Sequence, residues 1–174
     1  MILSTPRLDL RELTDADLPA LRATLHDPVA MTAYEGAFDD AESLAWLRRM
    51  QQRYADDGFG LWAVVLRETG AMIGQCGITR QQVERDEVIE VGYLFERAHW
   101  HRGYAVEAAS ACRDWAFDTL PIDDLYAKVR STNVASMNVA IRLGMTVRRT
   151  FTTRYRGVDM PHLAFAVSRA EWAA

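Results

Sequence analysis

The chain has 174 residues, of which 49% are hydrophobic and 25% charged, and these proportions are typical of one globular domain with a sizeable core. Its net charge of −4 gives no overall positive field, which excludes nucleic acid and anionic membranes as expected partners. No apolar run approaches the roughly 20 residues of a membrane-spanning helix, and the first residues lack a signal peptide's apolar core. We therefore expect one soluble, cytoplasmic domain spanning residues 1–174.

The first third of the chain predicts one strand followed by two helices. Leucines alternate with charged residues from Leu8 to Leu13, as in a half-buried strand. Thr14 is a suitable N-cap for a helix over Asp15–Leu25, where leucines recur at helical spacing. A second helix is predicted from about Asp40 and should end at Gly58.

The remainder predicts more strands and two more helices. Leu61–Leu66 and Met72–Ile78 flank a Glu-Thr-Gly turn and so predict an antiparallel hairpin. The other predicted elements are, in order, a strand over Val88–Glu96, a helix with its apolar stripe from Ala105 to Ala116, a strand over 125–129, a short helix ending at Gly144, and strands over Thr146–Tyr155 and Leu163–Val167. The predicted fold class is α+β, a mixed, largely antiparallel sheet of about six to seven strands with helices on both faces.

Metal binding is not predicted. Cys76 and Cys112 each lie in an apolar pattern without a further ligand at metal-binding spacing, so we interpret both as core residues. His99 and His101 are two residues apart, which differs from the spacing of paired zinc ligands on a helix. Both histidines are interpreted as loop residues.

A turn that opens a helix directly after a strand is the strongest candidate for a binding site. A helix N-terminus presents free backbone N–H groups and a partial positive charge, so it can hold a pyrophosphate if no side chain blocks the approach. A plain structural loop is the alternative, and the sequence contains neither GxxxxGK[ST] nor GxGxxG. The candidate phosphate contacts are His101, Arg102, Gly103, Tyr104 and Ala105.

Four segments resemble the GCN5-related N-acetyltransferase superfamily, particularly its branch of ribosomal-protein N-terminal alanine acetyltransferases. They run nearly end to end and read TPRLDLRELTDADLPAL, LWAVVLRETGAMIGQCGI, EVGYLFERAHWHRGYAVEA and NVASMNVAIRLGM. The family's loop usually begins with Gln or Arg, where this chain has Trp100, whereas Gly103 and Ala105 match. The resemblance implies a single acetyltransferase domain that uses acetyl-CoA and no metal.

The resemblance also implies residues that hold the cofactor. Tyr93, Leu94 and Phe95 would line the pantetheine arm, which pairs with their strand as a further strand would. A backbone N–H near Leu94 or Phe95 would donate to the thioester oxygen. Asn133 resembles the family asparagine that meets the pantetheine or the nearby loop, and a plain turn residue is the alternative.

Two catalytic residues are implied. Glu90 matches the position of the family's general base, acting directly or through water, and a structural strand glutamate is the alternative. Ser136 is the candidate general acid, because the tyrosine of many relatives corresponds here to Ala140. Ser136 could instead cap the closing helix, and a thiol of pKa about 8.5 leaves as thiolate with little help.

The expected reaction is direct attack of a primary amine on acetyl-CoA in a ternary complex. The acceptor is a peptide N-terminus or a small molecule, and the segments expected to select it contain Tyr34 to Phe38, Trp46, Tyr155 and His162. The resemblance makes a homodimer possible. The alternative function is a catalytically inactive, acyl-CoA-binding regulatory domain.

Overall fold

The computed structural model describes all 174 residues and contains one eight-stranded sheet in the order β1-β2-β3-β4-β5-β6-β8-β7. The strands are β1 (Leu3–Ser4), β2 (Leu8–Arg11), β3 (Leu61–Leu66), β4 (Met72–Val83), β5 (Asp86–Phe95), β6 (Asp124–Arg130), β7 (Thr146–Tyr155) and β8 (Val158–Ser168). The helices are α1 (Leu18–Leu25), α2 (Asp40–Asp57), α3 (Tyr104–Thr119), α4 (Val134–Arg142) and α5 (Arg169–Trp172).

The sheet is antiparallel except where β5 and β6 meet. These two strands are parallel because α3 makes the crossover between them, and they pair only at Glu90 and Tyr126. Beyond this pair β5 and β6 part, and the space between them towards Phe95 is named the β5–β6 cleft. A parallel pair that separates leaves backbone groups free along both facing edges.

Helices cover both faces of the sheet, which confirms the predicted fold class. The larger apolar cluster lies on the α3 face and includes Trp62, Phe117 and Leu125, and the smaller one lies under α1 and α2 and includes Leu25 and Leu47. Residues alternate between the faces along a strand, so each central strand contributes to both clusters. The core is therefore built around the sheet on two sides.

The two cysteines are core residues, as predicted. Cys76 of β4 and Cys112 of α3 are both fully buried, with their Sγ atoms 3.6 Å apart. Their contact joins the central strand to the helix behind it. The sequence spacing of these residues did not predict that they meet.

Several predicted boundaries were wrong. The sheet has eight strands because β1 adds two residues, too few for a periodic pattern. The first α-helix begins at Leu18 because Asp15–Asp17 form a 3-10 turn and Pro19 follows at the helix start. β4 continues to Val83 and turns directly into β5, with Glu84 at a φ of 55°. The four-residue α5 was not predicted.

Candidate active site

The turn before α3 has the geometry of an anion site. Gly103 is the N-cap of α3 with a φ of 79°, and His101 also has a positive φ, of 60°. None of the backbone N–H groups from His101 to Val106 donates a hydrogen bond within the chain. A Cβ added at Gly103 would have Arg7 Nη2 as its nearest neighbour, at 3.5 Å. A row of free amides at the positive end of a long helix can bind a pyrophosphate.

Residues from the start of the chain hold this turn in place. Arg7 Nη1 donates to the Arg102 carbonyl at 3.0 Å, and Arg7 Nε donates to Glu107 Oε2 at 2.6 Å. Thr5 Oγ1 donates to the other oxygen of Glu107, also at 2.6 Å. Sequence analysis missed these contacts, because about 100 residues separate the partners and neither segment has a motif that pairs them.

Trp100, which departs from the family's usual residue, has a specific partner. Its indole Nε1 donates to the Phe95 carbonyl at 2.8 Å. This hydrogen bond joins the last residue of β5 to the start of the turn over residues 101–105, which we name the phosphate turn. The substitution therefore changes how the turn is attached and leaves the free amides that follow it unobstructed.

The β5 ladder determines which amides face the β5–β6 cleft. Glu96 N donates to Ile73 O at 2.9 Å across a regular register with β4. Because hydrogen-bonded pairs alternate in an antiparallel ladder, the amide of Leu94 faces β4, whereas those of Tyr93 and Phe95 face the cleft. Of the two amides expected as alternatives for the thioester oxygen, that of Phe95 faces the cleft, whereas that of Leu94 pairs with β4.

The side chains of the predicted pantetheine segment point in different directions. Phe95 is 5% exposed and belongs to the α3-side core, whereas Leu94 packs on the α2 side. Phe95 can therefore border a cofactor only through its backbone groups, whereas the backbone groups of Leu94 pair with β4. Backbone pairing is the mode by which an extended arm adds to a strand edge.

Tyr93 and Ser136 form a connected pair between β5 and α4. The Tyr93 hydroxyl donates to the Ser136 carbonyl at 2.9 Å, and Ser136 Oγ donates to Tyr93 Oη at 3.1 Å. Burial raises the pKa of Tyr93 well above its usual value, so the phenol stays protonated. Asn133 caps α4 by accepting a hydrogen bond from Ser136 N at 3.1 Å, so the cap is Asn133 and not Ser136.

Glu90 lies at the point where β5 and β6 part. Its side chain is 14% exposed, Oε2 has no hydrogen-bond donor, and Lys128 Nζ is 3.8 Å from that atom. Burial raises the pKa of the Glu90 carboxyl to about 7, against the opposing effects of the Lys128 ammonium, the Lys128 backbone N–H and Arg53. A carboxylate that titrates near neutral pH and has a free oxygen can accept a proton from an amine.

An aromatic cluster covers the α2 side of this position. Tyr34, Phe38 and Trp46 pack edge to face with ring centroids 5.7 to 6.0 Å apart. Burial raises the pKa of Tyr34 to about 12, and the negative charge of Glu90 contributes to this shift. Tyr34 therefore lies within electrostatic range of the candidate base, and we name these three side chains the aromatic wall.

The remaining acceptor candidates lie on the β7–β8 hairpin. Tyr155 is 36% exposed and lies beside Arg156, which also contacts Phe38 of the aromatic wall with 5.5 Å between the guanidinium and the ring centroid. His162 stacks on Phe151, and its Nδ1 donates a 2.9 Å hydrogen bond to the Met160 carbonyl. Burial lowers the pKa of His162. Tyr155 is thus the more available of the two predicted residues.

No group of three or more His, Cys, Asp or Glu side chains lies close enough to hold a metal ion. No helix combines the length and hydropathy that crossing a membrane requires.

Comparisons with known proteins identify the family and the fold of this chain. The family model described as an acetyltransferase (GNAT) domain matches residues 7–146. YkkB of Bacillus subtilis, an uncharacterized protein, is 39% identical over 149 residues, which cover 85% of this chain and 87% of YkkB. The crystal structure of an acetyltransferase from Agrobacterium tumefaciens is 35% identical, with a TM-score of 0.80 and coverage of 96% of this chain and 94% of that one.

A more distant structure shows the same fold with a cofactor. Spermidine N-acetyltransferase from Vibrio cholerae was solved in complex with CoA and spermine. Its structure has a TM-score of 0.78 at 16% identity, and the alignment covers 98% of this chain and 100% of that one. Ribosomal-protein acetyltransferases are also among the proteins with this fold. At such identities the likeness concerns the fold and does not assign a branch. The family model, which matches residues 7–146, places this chain in the GNAT acetyltransferase family.

Proposed function

We propose that this protein is an N-acetyltransferase that transfers the acetyl group of acetyl-CoA to a primary amine by direct attack in a ternary complex. The observation that carries the proposal is the row of free amides from His101 to Val106, at the end of the strand that also bears Glu90. One end of this arrangement fits a pyrophosphate and the other fits a proton acceptor. A thioester arm that lies along the β5 edge would connect the two.

Acetyl-CoA would be held mainly by backbone groups. The amides of the phosphate turn, from His101 through Ala105, would bind the pyrophosphate. The cleft-facing edge of β5 at Tyr93 and Phe95 would pair with the pantetheine arm, and Asn133 lies beside that arm at the start of α4. When bound, the cofactor supplies an activated acetyl group and a thiolate leaving group.

Glu90 would act as the general base, directly or through water. A primary amine must lose a proton to become a stable amide, and a carboxyl with a pKa of about 7 is half ionised at neutral pH. Its unpaired Oε2 is free to accept that proton. The Lys128 ammonium lies 3.8 Å from this oxygen, too far to occupy it with a hydrogen bond.

The developing negative charge and the leaving group need smaller contributions. The Phe95 amide would donate to the thioester oxygen as charge develops on it. Ser136 would turn its hydroxyl from Tyr93 Oη to the departing sulfur, give the sulfur its proton and take a proton back from water. Because a thiol has a pKa near 8.5, this departure needs only weak assistance.

The resemblance to ribosomal-protein alanine acetyltransferases favours an α-amino acceptor. An α-amino group of pKa about 7.8 is roughly a quarter neutral at pH 7.4, so a weakly basic carboxylate is sufficient for it. The branch, a cytoplasmic location, a homodimer and the absence of a required metal stay predictions.

Release of free CoA tests the proposal. Purified protein is incubated with acetyl-CoA and a panel of primary amines, including peptides with a free N-terminal alanine, and thiol appearance is followed. We expect release that depends on both the protein and the amine. Tight acetyl-CoA binding without release for any amine would instead support the inactive acyl-CoA-binding domain.

A further inference from the structure

Gln75 is a fully buried glutamine on the α2 face of the central strand β4. Its Oε1 accepts a 2.9 Å hydrogen bond from Trp46 Nε1, whereas its Nε2 has no partner. An indole nitrogen can only donate, so the hydrogen bond fixes the amide with its oxygen towards Trp46 and its NH₂ group on the other side. Two hydrogen-bond donors are thus held, in a known orientation, without an acceptor.

The chain offers no internal acceptor at this position. The cross-strand neighbours of Gln75 are Ala63 on β3 and Leu94 on β5, and neither side chain has an oxygen. A buried amide without a partner destabilises the folded protein, so such a group calls for a specific explanation. A bound molecule that supplies an oxygen would satisfy it.

The sheet register places Gln75 beside the reacting centre. Gln75 is level with Leu94, next to the Phe95 amide assigned to the thioester oxygen, whereas Glu90 is opposite Thr79, about 13 Å further along the sheet. Trp46 also belongs to the aromatic wall that extends towards Glu90. An oxygen that meets Gln75 would thus lie level with the thioester oxygen, and at this distance Glu90 would accept the proton of the attacking amine through water.

The charges of this face disfavour a polycationic acceptor. Glu90 faces Lys128 at 3.8 Å, and Glu35 forms an ion pair with Arg130. Arg49 adds a further cation, 5.1 Å above the indole of the aromatic wall. Glu90 and Glu35 each already have a cationic neighbour, so these cations would repel a second ammonium group on the acceptor.

We infer that the Gln75 side-chain amide donates to a carbonyl oxygen of the acceptor, so that the enzyme selects amines whose neighbouring carbon carries a carbonyl group. The inference rests on the proposed function and names its substrate class. Trp46 is the positioning residue that orients the amide. Peptide N-termini, amino-acid amides and amino acids share this chemistry, whereas simple alkylamines and polyamines lack it.

Matched pairs of amines test the inference. We would measure kcat/KM for L-alaninamide against isopropylamine, for phenylalaninamide against 2-phenylethylamine, and for spermidine. Each ratio is then compared between the wild type and Gln75→Met. Gln82→Met is the matched control, because it makes the same substitution at an exposed position of the same strand. L-alanine in place of its amide distinguishes a carboxylate from a neutral carbonyl.

The wild type should prefer the carbonyl-bearing member of each pair, and Gln75→Met should reduce that preference by about tenfold or more. Gln82→Met should keep the wild-type preference, and acetyl-CoA affinity should be equal in all three proteins. Trp46→Phe should reduce the preference in the same direction, because the amide loses its fixed orientation.

Other results would overturn the inference. A Gln75→Met variant with an unchanged preference, or a wild type that favours alkylamines or spermidine, contradicts it while leaving acetyl transfer in place. A wild type that acetylates no amine contradicts both the inference and the proposed function. If Gln75→Met does not fold, a wild-type preference of less than about tenfold for the carbonyl-bearing amines contradicts the inference by itself.

Discussion

At the scale of single residues, Glu90 combines burial with an unpaired oxygen. Its carboxyl lies 3.8 Å from Lys128 Nζ and within electrostatic range of Tyr34, and burial dominates its titration. A carboxylate with only a structural role would normally be fully paired at such burial. Its environment therefore favours the catalytic interpretation over the structural one.

Replacing Glu90 with glutamine should lower kcat/KM by about a hundredfold, because the isosteric amide cannot accept a proton. The wild-type rate should increase with pH through about 7, and the variant should lose this ionisation. The measurement is a pH profile of CoA release, with acetyl-CoA affinity as the control. An unchanged rate and profile would show that Glu90 is not the base.

The same substitution should increase stability at alkaline pH. A carboxyl whose pKa is raised from 4.5 to about 7 on folding binds its proton more tightly in the folded state, so wild-type stability falls as pH rises between these values. Glu90→Gln should therefore gain up to about 3 kcal/mol in unfolding free energy at pH 9 and almost nothing at pH 4. Urea titrations at both pH values measure this, and equal gains at both would contradict it.

Lys128 does not complicate the comparison of stability between the wild type and Glu90→Gln, because its ammonium group keeps hydrogen-bond partners when Glu90 becomes neutral. Its Nζ donates to Gln81 Oε1 at 3.1 Å and to the Gln82 carbonyl at 3.3 Å. Removing the negative charge thus does not leave a buried, isolated ammonium group.

Ser136→Ala tests the general acid. We expect turnover to fall by less than about tenfold, since the thiolate leaves readily without protonation. The Tyr93 phenol would lose one donor and keep its bond to the Ser136 carbonyl. Pre-steady-state CoA release measures the step, and normal turnover would leave Ser136 with a purely structural role.

At the scale of elements, the position of α3 depends on the connection between β1 and β2, about 100 residues earlier in the chain. Burial raises the pKa of Glu107, but hydrogen bonds from Thr5 and Arg7 outweigh this and hold the pKa below its usual value. The carboxylate lies in the first turn of α3, where it is stabilised by the helix dipole. Through these hydrogen bonds, Glu107 holds the phosphate turn against Thr5 and Arg7 near the start of the chain.

Glu107→Gln should reduce the unfolding free energy by about 1 to 2 kcal/mol at pH 7, because it weakens charge-assisted hydrogen bonds. A lowered pKa contributes stability above the unfolded value, and this contribution is lost as pH falls through the folded one. The difference between wild type and variant should therefore shrink towards pH 3, which denaturant titrations can measure. A difference that does not change with pH would contradict the ion-pair explanation.

Local patterns predicted most elements, because their information lies within short segments. The hairpin of β3 and β4 follows from two strand-forming segments around a Glu-Thr-Gly turn, and α3 follows from its apolar stripe. β1 and α5 are too short to show a period, and the extension of β4 to Val83 crosses polar residues that tertiary pairing holds in the sheet. These elements depend on partners that the sequence does not reveal.

The residues of the candidate site were likewise predictable only where they lie in a contiguous motif. Glu90 and the phosphate turn lie in contiguous motifs, so their sequence context marks them. The buried amide of Gln75 and its tie to Trp46, 29 residues away, carry no sequence signal. Their positions become meaningful only once the register of β4 against β5 is known.

At the scale of the whole molecule, the sheet separates two functions. The cofactor would enter along the β5–β6 cleft and end at α3 on one face, whereas the acceptor would approach from the face covered by α2 and the aromatic wall. The two substrates then meet where β5 and β6 part. This geometry suits a ternary complex in which neither substrate must leave before the other binds.

Calorimetric titration with acetyl-CoA is the most direct test of this account. The wild type is compared with Gly103→Glu, which places a carboxylate at the free amides, and with Gly70→Glu, a control at a glycine of similar φ (72° against 79°) in the distant β3–β4 turn. We expect micromolar binding by the wild type and by Gly70→Glu, and its loss in Gly103→Glu. No binding by the wild type, or equal binding by all three proteins, would contradict the assignment of the phosphate turn.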